Sequence, residues 1–240
     1  MSERDRYRQS FDSVAEAYER SRPQYAPEGV AWIAERLPFR RVLDLAAGTG
    51  KLTRQLLAFG ADVVAVEPGP EMRTVFRRVL PGVELLDGSA EALPLPDASV
   101  DAVAVGQAFH WFRTEEALRE MHRVLRAGGG YAFLWNEWDG EDRLMHALNE
   151  IVELVRPSRD DDLRQLVERS LLFRAFEERT FRHAEELPAE VLVERVSTVS
   201  AIAAAEPVER DRVLEQVRDL AGAGMVHVPM ITRVLAGNRV

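Results

Sequence analysis

A doubly wound α/β fold with a mostly parallel, seven-stranded sheet is predicted by three observations. Short apolar runs alternate with stretches of helical spacing from residue 41 to residue 135. The connections are short and punctuated by glycine and proline. The runs are close to continuously apolar, as strands covered on both faces require. Helical additions are expected at the N-terminus and in the C-terminal third.

Each element has its own signal. Residues 5 to 37 read as helical pieces interrupted at Arg22-Pro23. Arg41 to Leu45 is the first strand and runs into Ala46-Ala47-Gly48-Thr49-Gly50. Leu52, Leu56, Leu57 and Phe59 recur at helical spacing up to Gly60. Ala61 to Glu67 is the second strand, broken by Pro68-Gly69-Pro70, and Met72, Val75, Phe76 and Val79 mark the next helix. Val83 to Leu86 is a third strand, residues 87 to 99 a loop with Pro94 and Pro96, and Val100 to Val105 a fourth strand. Glu115 to Leu125 is helical and ends at Gly128-Gly129-Gly130, before a fifth strand from Tyr131 to Trp135. Leu144, Leu148, Ile151, Val152 and Val155 give a further helix ended by Pro157, and Arg159-Asp160-Asp161-Asp162 reads as a solvated helix start. Helices near 161–170, 189–196 and 207–221 alternate with strand-like pieces near 176–182 and 225–235. The last piece is expected to be antiparallel, beside the sixth strand at or near the sheet edge. Residues 1–240 read as one domain: 5–37 as covering helices, 38–140 as a ligand-binding core, and 141–240 as substrate-shaping helices with the last strands.

Composition narrows the function. The 240 residues carry a net charge of −9, with 46% hydrophobic and 30% charged residues, the profile of a folded globular protein. The acidic balance argues against broad capture of nucleic acid. Zero cysteines exclude disulfides, a thiol nucleophile and thiolate metal sites. No histidine spacing indicates a metal. No apolar run approaches the ~20 residues of a membrane span, and the charged start lacks a secretory pattern. A cytoplasmic protein without membrane or nucleic-acid partner is expected.

The glycine turn carries the chemistry. Glycines let the chain turn sharply after a strand and leave room for a ligand against the backbone, and the next helix offers free N–H groups. A dinucleotide site would continue to a third glycine, where this chain has Thr53. A phosphate loop fails as well, since Leu52 follows Lys51 where a hydroxyl should hold magnesium. Asp44 before the turn favours a cationic ligand group, or caps the next helix. Glu67, 17 residues after Gly50, can accept two hydrogen bonds from a ribose diol.

Together these residues resemble the class I S-adenosylmethionine-dependent methyltransferases, of the small-molecule, type 11-like branch. Val42 to Gly50 is similar to that family's first motif, Val64-Ala65-Val66-Glu67-Pro68 to its second, and Gly88 to Asp97 with Asp101 to the stretch that flanks adenine. The resemblance spans roughly residues 8 to 140 and implies a Rossmann-like methyltransferase fold. It places Ala46, Gly48 and Gly50 at the cofactor's amino-acid end, with Asp44 organising that site, and Glu67 and Pro68 at the ribose. Ser89, Ala90 and Glu91 would flank the adenine; Ser89 stands where many relatives have Asp. Gln107 would lie near the methionine portion. Phe11-Asp12, Ala15, Tyr18, Arg22-Pro23 and Tyr25 resemble the family's cofactor-covering region, in which Tyr18, Arg22 and Tyr25 would contact the cofactor carboxylate.

Gly106-Gln107-Ala108-Phe109-His110-Trp111-Phe112 follows the fourth strand. Its aromatics can wall off water and attract a sulfonium, and His110 is the candidate general base. The stretch resembles one in relatives of trans-aconitate methyltransferases. Trp111, Trp135, Asn136 and Trp138 are the candidate substrate contacts. The reading is methyl transfer from S-adenosylmethionine to oxygen, nitrogen or carbon of a small molecule, by a monomer or homodimer. The alternatives are a nicotinamide-dependent oxidoreductase and a non-catalytic cofactor-binding protein.

Overall fold

The computed structural model describes residues 13–111, 115–153 and 163–240, with the side chains of 163–165 excepted. Phe11, Asp12, Phe112, Val155, Pro157 and the run Arg159 to Asp162 lie outside the described residues. A mixed seven-stranded sheet has the order β3-β2-β1-β4-β5-β7-β6. Its strands are β1 (Arg41–Leu45), β2 (Asp62–Val66), β3 (Glu84–Leu86), β4 (Val100–Gly106), β5 (Leu125–Trp138), β6 (Glu177–Pro188) and β7 (Met225–Asn238). The pairs β1–β2, β1–β4, β2–β3 and β4–β5 are parallel. Leu45 opposite Val66 and Gly106 opposite Leu134 bring the carboxyl ends of the central strands level. The order reverses between β1 and β4, and ligands of such sheets bind at that crevice.

The helices are α1 (Ala15–Ser21), α2 (Pro27–Arg36), α3 (Lys51–Ala58), α4 (Pro70–Val79), α5 (Glu115–Val124), α6 (Arg143–Glu153), α7 (Leu163–Ser170), α8 (Ala189–Ser197), α9 (Ser200–Ala203) and α10 (Pro207–Ala221). Proline opens α2, α4 and α10, where its missing N–H has no intrahelical partner to lose. Leu52, Thr53 and Leu56 face inward from α3, while Leu57 and Phe59, expected on the same apolar face, are exposed at its end.

Two compact units emerge, as far as their residues are described. One is drawn from residues 24–136, 160–181 and 232–240, the other from 1–23, 137–159 and 182–231. The first holds the parallel sheet. One of its apolar layers joins Leu43, Leu45, Phe109, Leu118, Met121, Phe133 and Trp135; another joins Val30, Ile33, Leu52, Leu56, Ala104 and Leu134. Each fully buried side chain of this kind contributes about 1.5–3 kcal/mol. The second unit is centred on Met145, Leu148, Leu192, Val196, Val213, Val217 and Met230.

The largest differences from the sequence reading are these. The helix before β5 ends at Val124, and β5 begins at Leu125, so Gly128-Gly129-Gly130 lies within the strand. There the β4–β5 register shifts between Val100 and Ala102, and a Cβ on Gly129 would meet the carbonyls of Arg126 and Asp101. Gly129 and Gly130 serve close packing, and Gly128 a left-handed backbone (φ 77°), rather than a helix stop. The last two strands run longer than 176–182 and 225–235; β7 lies beside β6, one place in from the sheet edge, where the sequence reading put it. Charged Glu177, Glu178, Arg179, Arg182, Glu185 and Glu186 suit that edge. Helix α9, four residues long, has no periodic signal in the sequence.

Candidate active site

Two carboxylates organise the carboxyl ends of β1 and β2. Asp44, 1% exposed, accepts the Thr53 hydroxyl on Oδ2 at 2.5 Å, while Oδ1 has no hydrogen-bond partner among the described residues. Burial, chiefly, raises its pKa to about 7; the Thr53 hydrogen bonds oppose the rise and the charge of Glu67 adds to it. Thr53 is the third residue of α3, so its side chain reaches back to the strand that precedes the turn. In the sequence Thr53 stands out only as the absence of a third glycine. The signal for its role is a hydroxyl in the first helical turn after a strand-borne carboxylate.

The turn itself is left-handed at Ala46 (φ 57°), Gly48 (φ 58°) and Gly50 (φ 89°). For alanine this conformation is costly, and such residues gather where a ligand needs the backbone placed. The turn leans on β2 through Ala47 N–H to Val66 O at 3.1 Å. Glu67, 7% exposed, fastens it: Oε2 accepts Gly48 N–H at 2.8 Å and Oε1 accepts Gly69 N–H at 2.7 Å. Gly50 is the N-cap of α3 and no side chain caps that helix end. Asp44 is therefore not the cap that sequence allowed.

The two glycines differ in what surrounds them. A Cβ on Gly50 would collide with Leu80 and Phe76, whereas one on Gly48 meets nothing within 4 Å. Gly50→Ala is therefore expected to lower stability by about 2 kcal/mol or more. Gly48→Ala should cost about 1 kcal/mol in stability and project a methyl group into the open side of the turn. Thermal melts and nucleoside titration separate the two outcomes.

Pro68 follows Glu67, and Arg73 on α4 locks this limb. Its guanidinium donates to the carbonyls of Glu67 (2.9 Å) and Pro68 (2.6 Å) and to both oxygens of Asp87 (2.9 Å each). Beyond β3, Ser89 bridges Ala92, Ala90 is buried, and Ser89 and Glu91 are half-buried.

At the end of β4, Gln107 is left-handed (φ 58°), its N–H bonds Leu134 O and its amide bonds Asn136 O, both at 2.8 Å. Tyr25 is buried with its hydroxyl against Gly106. The Gln55 side chain holds both backbone groups of Tyr25, at 3.0 and 2.8 Å. Asn136, expected at the substrate, donates to Gln24 O at 2.8 Å and accepts the Thr232 hydroxyl.

A short 3-10 turn, Phe109–Trp111, follows. Phe109 is core, its ring 4.1 Å from Phe133; His110 and Trp111 are half-buried, with ring centroids 4.6 Å apart. Trp135 is buried beneath the Arg233 guanidinium at 5.2 Å. The first unit thus gathers Asp44, Ala46, Gly48, Gly50, Glu67, Pro68, Ser89, Ala90, Glu91, Gln107 and Tyr25 at the ends of β1 to β4, with His110, Trp111 and Trp135 along the ends of β4 and β5. Tyr18, Arg22 and Trp138 belong to the second unit. There Arg22 stacks on Tyr18 at 5.1 Å and bonds the Thr198 hydroxyl and carbonyl at 2.8 Å each, and Trp138 packs in the helical core.

The site fits a nucleoside with a cationic arm. Asp44 keeps an unsatisfied buried oxygen, Gly48 opens onto free space, and the Glu67 carboxylate sits at the end of β2 beside the turn. Among the described residues no helix is long and apolar enough to cross a membrane, and no cluster of His, Cys, Asp or Glu could hold a metal.

Known proteins share this architecture. Residues 43–133 match the family described as a methyltransferase domain. An uncharacterized methyltransferase of Mycobacterium tuberculosis is 41% identical over 212 residues, 88% of this chain and 85% of that protein. A protein assigned as a type II methyltransferase from Anaeromyxobacter dehalogenans superposes with a TM-score of 0.68 at 26% identity, over 90% of this chain and 97% of the other. The fold is also that of a Haemonchus contortus phosphoethanolamine N-methyltransferase solved with S-adenosylhomocysteine, with a TM-score of 0.58 at 18% identity over 97% of this chain and 59% of that one. The nicotinamide and non-catalytic alternatives find no support among these relatives. With the acidic turn, the two buried carboxylates beside it and these likenesses in hand, the chain belongs to the class I methyltransferases, which take their methyl group from S-adenosylmethionine.

Proposed function

We propose that this methyltransferase acts on a small-molecule acceptor at the ends of β4 and β5, with His110 as the general base. The observation that carries the reading is the 3-10 turn directly after Gln107. It anchors itself in the core through Phe109 and leaves one imidazole and one indole half-buried side by side. The net charge of −9 weighs against a nucleic-acid acceptor.

In this reading Glu67 accepts the ribose hydroxyls, Asp44 faces the ammonium group, and the Ala90 backbone with Ser89 and Glu91 borders the adenine. Gln107 and Tyr25 border the methionine portion. When bound, S-adenosylmethionine supplies an activated methyl carbon that an acceptor lone pair takes by in-line displacement, releasing S-adenosylhomocysteine. Trp111 and Trp135 exclude water and align the acceptor, and alignment alone can supply several kcal/mol. His110 takes the proton of an acceptor that enters protonated.

Incubation with methyl-labelled cofactor and a fractionated metabolite extract tests this. Label should enter a low-molecular-weight fraction; label confined to nucleic acid or protein refutes the reading. Once an acceptor is found, His110→Ala should lower turnover by about 10²-fold while S-adenosylhomocysteine affinity stays within about twofold. Unchanged turnover would remove the base assignment and leave the aromatic wall.

A further inference from the structure

The loop between β3 and β4 has little regular structure of its own, yet its backbone is firmly held. Leu93 and Leu95 bury their side chains, and the intervening Pro94 and following Pro96 are exposed and offer no N–H. The polar groups of that limb are satisfied by two side chains of α5. Glu120 Oε2 accepts the Leu93 N–H at 2.7 Å. Arg123 donates to Leu93 O at 3.0 Å, Leu95 O at 2.8 Å and Asp97 Oδ1 at 2.8 Å. The two side chains also pair with each other, Arg123 Nε to Glu120 Oε1 at 2.6 Å and Nη2 to Oε2 at 2.7 Å.

A guanidinium has five N–H donors, and these bonds use all five. Arg123 has nothing left for a ligand. What it controls is the loop's other limb. Pro94 packs so closely on Gly88 that a Cβ there would collide with its ring, and the Ser89–Ala92 bridge closes the short arc between them. The tilt of Ser89, Ala90 and Glu91 is therefore set by where Leu93 is pinned.

We propose that the Glu120–Arg123 pair is the positioning device for the adenine ring: by fixing the 89–91 arc from behind, it sets the discrimination among purine nucleosides. The inference rests on the cofactor placement given above. Glu120 and Arg123 are positioning residues, acting through the loop.

The test compares S-adenosylhomocysteine with S-inosylhomocysteine, which differs in the purine 6-substituent, by calorimetry on the full chain. The wild type should prefer the adenine compound by about tenfold. Arg123→Ala should bind S-adenosylhomocysteine about tenfold more weakly and bring the ratio of the two dissociation constants toward one. Arg123→Lys, with charge but no fork, should lie between. A role in stability alone would lower the melting temperature and leave the ratio where it was, and an unchanged ratio in folded Arg123→Ala overturns the proposal. Should that variant not fold, Arg123→Lys and Glu120→Gln carry the same comparison and decide it in the same way. A wild-type chain that binds neither compound overturns the cofactor placement and the inference with it. One that binds both, with a ratio unmoved by every variant, overturns the inference alone.

Discussion

Glu67→Ala is expected to weaken S-adenosylhomocysteine binding at least 100-fold. The carboxylate serves two tasks at once. It ties Gly48 N–H and Gly69 N–H together across the mouth of the site, and in the proposed cofactor placement it accepts two ribose hydroxyls. Hydrogen bonds to a charged group are worth about 1.5–3 kcal/mol each. Water refilling part of the gap still leaves a loss of roughly 3 kcal/mol, which corresponds to more than two decades in affinity. Glu67→Gln keeps one acceptor oxygen and should lose about tenfold. Titration calorimetry reads both, and an alanine variant within about threefold of wild type would exclude Glu67 from the ribose site.

The second large effect is one of pH. Asp44 is pushed up to about 7 from an ordinary value of 3.8. Between those values the folded chain holds a proton that the unfolded chain releases. This group's contribution to stability is complete below about pH 4 and is lost as the pH rises through about 7. The difference in melting temperature between wild type and Asp44→Asn should therefore shift against the wild type from pH 5 to pH 7.5. Ligand binding runs the other way. A cationic arm beside Asp44 favours the carboxylate, so affinity should rise with pH and level off above about 7, with a proton released on binding at lower pH. Calorimetry in two buffers of different ionisation enthalpy measures that proton. In Asp44→Asn both the slope and the release should vanish; a variant that keeps them assigns the titration to another group.

The parts of the site legible in the sequence were those in which chemistry and backbone fall within one short segment. Asp44, Gly48, Gly50 and Glu67 announce themselves because a strand, a tight turn and the next strand's end are local patterns. The partners that hold them are not local. Thr53 reads as a missing glycine until α3 carries it back to Asp44. Arg73 reads as one more helical cation until it meets Asp87. Gln55, thirty residues from Tyr25, and Thr232, nearly a hundred from Asn136, become relevant only once the sheet assembles. The last third was harder for a related reason: β6 is mostly exposed and charged, so its length leaves little periodic imprint. Of the three residues that the resemblance groups, Arg22 bonds Thr198 and stacks on Tyr18 in one unit, while Tyr25 belongs to the other.

The sheet order also dictates the sequence of events by which the chain acquires its ligand site. Val42 pairs with Val63 after a closure of about twenty residues, but with Ala102 only after one of about sixty. Longer closures cost more entropy and are made later. The glycine turn and Glu67 are thus closed over a shorter loop than the strand end that carries Gln107 and His110. A nascent chain stalled before residue 100 would hold Asp44, the glycine turn and Glu67 but lack β4 and the turn that bears His110.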